Sequence, residues 1–238
     1  MTGPDRAIGT RCRSMGGLVL AVVLVAGCSA ARTGPLHRVG SEPYEHGSGT
    51  VATEVRPLSD FHSVVAGHGI RVEVETGDAG SAAVTADDNL LDAIATDVRE
   101  GTLTVEVVGS IETTTPLTVS VTTSLAVDAV TATSGSTVNA LGVSGPNLVV
   151  RAESAGAVTV EGTVDELRLT VGSGASAELG KLTATTARVE LTAAATASVR
   201  VIDRVSGSCT LGSTLRVLGE SPVVDVAADT SSTVVRGG

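Results

Sequence analysis

From about Val51 onward the chain alternates apolar and polar residues with a period of two. Ile70, Val72 and Val74 interleave with Arg71, Glu73 and Glu75, and Leu103, Val105 and Val107 repeat the scheme. Alternation of this kind sends one set of side chains inward and the other into water, so it predicts short, half-buried strands. One stretch breaks the pattern. Asp87-Asp88-Asn89-Leu90-Leu91-Asp92 predicts a helical turn, with Leu91, Ile94 and Val98 on one side.

Beyond Pro116 the alternation becomes a repeat. Leu125 to Gly142, Leu148 to Gly162 and Leu167 to Gly180 each read as strand, small-residue corner, strand and glycine, with Ser134-Gly135, Ser154-Ala155 and Ser173-Gly174 at the corners. Looser copies follow around Ala193-Ala194-Ala195, Gly212-Ser213 and Thr230-Ser231-Ser232. Leu148 to Leu167 is 19 residues and Leu169 to Val189 is 20. A strand unit of this size cannot bury its apolar side alone, whereas copies stacked as coils share one continuous core. The predicted fold is therefore all-β, a β-solenoid of stacked coils of about 19 residues. Stacked corner hydroxyls are expected to bond along the column. An antiparallel β-sandwich is the alternative, and its tight turns call for Asn-Gly or Asp-Gly pairs, which the sequence lacks.

Residues 1–50 follow different rules. Arg6, Arg11 and Arg13 precede an apolar run from Leu18 to Ala26, and Val25-Ala26-Gly27-Cys28 has the form of a bacterial lipobox. The run from Met15 to Gly27 covers roughly 20 Å as a helix, short of the ~30 Å hydrocarbon core. In the resemblance to bacterial lipoproteins, Cys28 becomes a diacylglyceryl-modified N-terminus, and two or more acyl chains hold a protein on a membrane durably. The expected organisation is a signal peptide over 1–27, a lipid-anchored tether over 28–50, rich in Pro and Gly, and a solenoid domain over 51–238. The expected location is the extracytoplasmic face of the cell membrane.

Charge and cysteine content narrow the partners. Removing residues 1–27, which carry three arginines and one aspartate, moves the net charge from −10 to −12. Nucleic acid is an unfavourable partner for such a chain, and anionic lipid would repel it, which leaves the acyl chains as its contact with the membrane. Of three cysteines, Cys12 leaves with the signal and Cys28 is lipidated, so Cys209 has no intramolecular partner. It shares its alternation phase with Leu211 and reads as a buried thiol.

The segment Asp60-Phe61-His-Ser-Val64-Val65-Ala-Gly67-His-Gly69-Ile70-Arg-Val72-Glu-Val74, then Asp88-Asn89-Leu90-Leu91, then Val98-Arg-Glu-Gly101-Thr-Leu103, followed by serial Ser-Gly corners, resembles the head GIN domain family of auto-transporter adhesins from about Val55 to the C-terminus. The resemblance implies a right-handed parallel β-helix displayed outside the cytoplasm, and it brings no catalytic residues. This chain departs from the pattern at Ala193-Ala194-Ala195, where a Ser-Gly corner is absent.

Enzyme signatures are missing. There is no Gly-x-Ser-x-Gly elbow, and the stretch from Gly174 through Gly180-Lys181-Leu182 misses a phosphate loop in its spacer and in Leu182, which has no hydroxyl for magnesium. His62 and His68 near Asp60 lack a third ligand at metal spacing, and Asp87, Asp88 and Asp92 do not follow an EF-hand loop and read as solvated acids. Glu73 and Glu75 share the polar face of one strand and read as solubilising charges. No cofactor, metal site or catalytic residue is assigned. The leading function is a non-catalytic surface module that contacts an envelope protein or polysaccharide; the alternatives are a carbohydrate-active β-helix enzyme or an accessory or sensor subunit. The final strand, Thr233 to Gly238, has no helix or proline to cover its edge and is expected to support a weak homodimer.

Overall fold

The computed structural model describes residues 44–77, 80–219 and 223–237. The chain begins with short strands: β1 (Glu45–His46), β2 (Val51–Pro57), β3 (Ser63–Ala66), β4 (Arg71–Thr76) and β5 (Ser81–Asp87). A 3-10 helix, Asp88–Ala93, precedes β6 (Ile94–Arg99), β7 (Thr102–Val107), β8 (Ile111–Glu112), β9 (Thr118–Thr123) and β10 (Ala129–Ala132). Four long strands follow, β11 (Thr137–Ala152), β12 (Ala157–Val171), β13 (Ser176–Leu191) and β14 (Thr196–Cys209), then β15 (Thr214–Leu218), β16 (Val223–Ala228) and β17 (Thr233–Gly237).

From β10 to β17 every neighbouring pair is parallel, so the chain is a β-solenoid and the sandwich alternative is excluded. Val138, Val158, Ala177, Ala197, Leu215 and Val234 fall in one register, at intervals of 20, 19, 20, 18 and 19 residues. A second inward row runs Val64, Val130, Val150, Leu169 and Val189. The residues of both rows are buried as far as Leu215, and the last, Val234, is only partly covered. Each long strand bends midway, where the ladder shifts register at Ala140/Val143, Thr159/Gly162 and Leu179/Thr183. An extra residue on one strand turns it onto the next face of the coil. Gly162 sits at such a bend with φ +146, and a Cβ there would run into the Val143 carbonyl oxygen.

The corners explain the small residues. Consecutive left-handed pairs occur at His68-Gly69, Ser134-Gly135, Ser154-Ala155, Ser173-Gly174, Ala193-Ala194 and Leu211-Gly212. In the first five pairs the second residue's N–H donates to the carbonyl of the first residue of the next pair: Gly69 to Ser134 at 3.0 Å, Gly135 to Ser154 at 3.0 Å, Ala155 to Ser173 at 3.1 Å, Gly174 to Ala193 at 2.9 Å and Ala194 to Leu211 at 2.9 Å. The corner ladder itself is made by the backbone, and hydroxyls beside the corners also bond between coils, Ser136 Oγ donating to the Ala66 carbonyl at 2.8 Å and Ser213 Oγ accepting from the Ala195 N–H at 3.3 Å. The serine side chains at 134, 154 and 173 are exposed.

The N-terminal end departs from sequence order. β3 lies between β7 and β10, and β4 between β9 and β11, so residues 63–76 are slotted between coils that come later in the chain. Antiparallel strands close this end: β6 on β7, β5 on β9 and β2 on β5. The β6–β7 hairpin turns through Glu100 (φ 50) and Gly101 (φ 72), the doubly left-handed turn that matches strand twist. Under this cap Phe61, Ile70, Leu90 and Ile94 are buried. The predicted helical turn is present as the 3-10 helix, with Leu90 and not Leu91 as its fully buried residue.

Residues 44–50, expected as the end of the tether, lie against the folded domain. β1 pairs in parallel with β8, and Gly47 N–H donates to the Glu112 carbonyl at 2.9 Å. Among the described residues no helix is long and apolar enough to cross a membrane.

Candidate functional site

Cys28 and its lipobox, Val25, Ala26 and Gly27, lie outside the described residues. The other residues singled out in the sequence have defined surroundings. Cys209 is fully buried in the inward row that continues from Leu191, and burial pushes its thiol pKa up, which disfavours the nucleophilic thiolate. Its contacts make it a core residue.

The two histidines stay apart from a common ligand set. His62 Nδ1 lies 3.0 Å from Asp128 Oδ1, while Asp60 accepts from the Ser124 hydroxyl at 2.7 Å and from the Ser124 N–H at 3.1 Å. Those bonds lower the Asp60 pKa. His68 forms the first left-handed corner. Among the described residues no group of three His, Cys, Asp or Glu side chains is placed to hold a metal ion.

Asp87 corrects its reading as a solvated acid. Its side chain is buried at 1% exposure, accepts from the hydroxyls of Thr113 and Thr115, and is held below the usual carboxylate range by those bonds and the Gly49 N–H. Beside it Ser48 Oγ donates to Asp88, Ser48 N–H donates to Asn89 Oδ1 at 2.9 Å, and Asn89 Nδ2 donates to the His46 carbonyl at 2.9 Å. The Asp87-Asp88-Asn89 run thus fastens residues 46–50 and 113–115 to the capped end. It is a clasp. Glu73 and Glu75 project from β4 on the solvent side, as their alternation requires.

The surface offers shallow grooves. One of about 440 Å³ lies beside Tyr44, His68, Val107, Ile111 and Leu117 at the capped end. Another, about 250 Å³, crosses the outer face of β11–β13 and is lined by Arg151, Arg168, Arg188 and Glu190; it meets a third, about 330 Å³, at Val149 and Arg168. Alternation alone marks these arginines as outward-facing. That they converge follows from the register, which places Val149, Arg168 and Arg188 in one row and Arg151, Thr170 and Glu190 in the next.

Comparison with known proteins agrees with this architecture. A putative adhesin from Bacteroides fragilis, known from a crystal structure, superposes with a TM-score of 0.66 at 14% identity over 81% of this chain and 99% of that chain. A putative adhesin from Parabacteroides merdae gives 0.56 at 16% identity over 82% and 99%. A protein of Parabacteroides distasonis described as a putative lipid binding protein gives 0.51 at 16% identity over 82% and 100%. No curated protein matches the chain. The family described as putative auto-transporter adhesin, head GIN domain, matches residues 60–221, which contain the inserted β3–β4 coil, the cap strands β5 and β6, and the corner ladder. The chain therefore belongs to that head GIN domain family.

Proposed function

We propose that this protein is a lipid-anchored, non-catalytic, adhesin-like module displayed on the extracytoplasmic face of a bacterial membrane. The observation that carries the reading is the corner-to-corner backbone ladder, which makes the solenoid a stiff support whose outer faces are open. The lipobox ending at Cys28 supplies the anchor, and the acidic balance leaves the acyl chains as the route to the membrane. The relatives described as adhesins support the same reading. An envelope protein or polysaccharide is the partner such a module would contact.

The test uses intact cells that express the full chain or its Cys28→Ala variant. Wild-type protein is expected in the detergent phase after phase partitioning, and the variant in the aqueous or medium fraction. Crosslinking on cells is expected to capture an envelope component with the wild type and much less with the variant. Identical partitioning of the two proteins would overturn the anchor, and crosslinking confined to cytoplasmic proteins would overturn the address.

A further inference from the structure

The arginines on the outer face of β11–β13 are placed against the charge balance of the chain. In-register neighbours on parallel strands stand about 4.8 Å apart, and here Arg168 and Arg188 are such neighbours. Like charges opposite one another are unfavourable. Arg151 approaches the same space diagonally, separated from Arg168 by Val149 along its own strand and by Thr170 across the ladder. All three arginines are exposed, in a chain whose net charge is −10.

Their donors are largely free. Arg168 gives only its Nε to Glu166, at 2.9 Å, which leaves the terminal fork of the guanidinium open. Arg151 and Arg188 have no ion pair among the described residues. The half-buried Val149 supplies an apolar floor between Arg151 and Arg168, and Asn147 adds an amide at the edge of the joined groove.

We propose that this groove binds an acidic polysaccharide, with sugar carboxylates held by Arg151, Arg168 and Arg188 and the apolar face of a ring on Val149. This deepens the surface-module reading and rests on it. A guanidinium fork matches a carboxylate in two parallel hydrogen bonds, and a repeating ligand suits a receptor that is itself a repeat. A bound peptide would more naturally add to an unpaired strand edge. On β12 and β13 both backbone edges are already paired, so recognition on this face falls to side chains. Two carboxylates, Glu166 and Glu190, share the groove with the three guanidiniums, and Glu166 is already bonded to Arg168 Nε; acidic groups beyond about 8 Å are largely screened at physiological salt.

The experiment uses the full chain carrying Cys28→Ala, so that acyl chains contribute nothing, and measures binding to polygalacturonate, to neutral dextran of matched length and to vesicles of anionic phospholipid. Polygalacturonate is expected to bind and to be released as salt rises, with dextran and vesicles inert. Arg188→Ala and Arg151→Ala should each weaken binding about three- to tenfold, while Arg99→Ala, on the cap strand β6, should not change it. Arg188→Ala should also leave the melting temperature unchanged or raised, because it removes a like-charge neighbour; a merely structural arginine would lower it. Equal binding of dextran, vesicles that bind as well, or full binding by the Arg151→Ala/Arg188→Ala double variant would overturn the proposal. Loss of polygalacturonate binding with crosslinked capture on cells intact would remove this ligand class and leave the surface-module reading standing.

Discussion

Alternation decides most single-residue outcomes. Leu169 is 2% exposed in the inward row, and its neighbour Arg168 points to solvent. Leu169→Asp buries an unpaired carboxylate and should destabilise the domain by about 3 kcal/mol or more, whereas Arg168→Asp should stay within about 0.5 kcal/mol; denaturant unfolding of both variants checks the contrast. Equal shifts would refute the inward and outward assignment. The corners allow a gain. Ala194 holds φ +59, where a Cβ costs about 1–2 kcal/mol, and its N–H still completes the ladder. Ala194→Gly should therefore raise stability by about 1 kcal/mol, less the backbone entropy that glycine adds to the unfolded chain, and a higher melting temperature is the readout.

Among elements, the two ends of the solenoid are finished differently, and hydroxyl-bound carboxylates serve at both. At the capped end Asp87 holds Thr113 and Thr115 under the strap of residues 46–50. Asp87→Ala should free that strap, visible as faster amide exchange at Ser48 and Thr50 with the coils β11–β14 unchanged. At the far end the ladder of backbone carbonyls stops, and side chains take over. Leu211 N–H donates to Asp229 Oδ2 at 2.7 Å, Gly212 N–H to Ser231 Oγ at 3.0 Å and Ser213 N–H to Ser232 Oγ at 3.2 Å. The Leu211 N–H, as the largest cause, and the hydroxyls of Ser232 and Ser231 hold the Asp229 pKa at about 2, below its ordinary 3.8. A depressed carboxylate stabilises the fold above its unfolded pKa and loses that contribution as pH falls through the folded value. Ordering of the last corner should thus persist at pH 5 and fade between about 3.8 and about 2, and Asp229→Asn should flatten that part of the acid titration when NMR follows residues 211–213.

At the scale of the molecule the polarity of the column sets what it can pair with. The first coils carry antiparallel strands, while β16 pairs only with β14 and β17 only with β15 among the described residues. Val224, Val226 and Val234 are consequently only partly covered. Two copies meeting at this end about a two-fold axis would extend both ladders and bury those valines, and a two-fold contact closes on itself. Sedimentation of the full chain carrying Cys28→Ala should show a weak, concentration-dependent dimer. A single monomeric species up to high micromolar concentration would refute it.

The sequence alone determined the coil. Period-two alternation fixed which of Arg168 and Leu169 faces the core, and the spacing of the Ser-Gly corners fixed a repeat that closes only by stacking. Three features waited for the tertiary structure. The insertion of β3–β4 between later coils, the burial of Asp87 and the convergence of Arg151 with Arg168 and Arg188 all depend on which strands lie side by side. A period of two reports which face a residue occupies and carries no record of its neighbours across the ladder. The same limit applied to Ala193-Ala194, which the repeat marks as a corner but whose left-handed geometry follows only from the hydrogen bonds of adjacent coils.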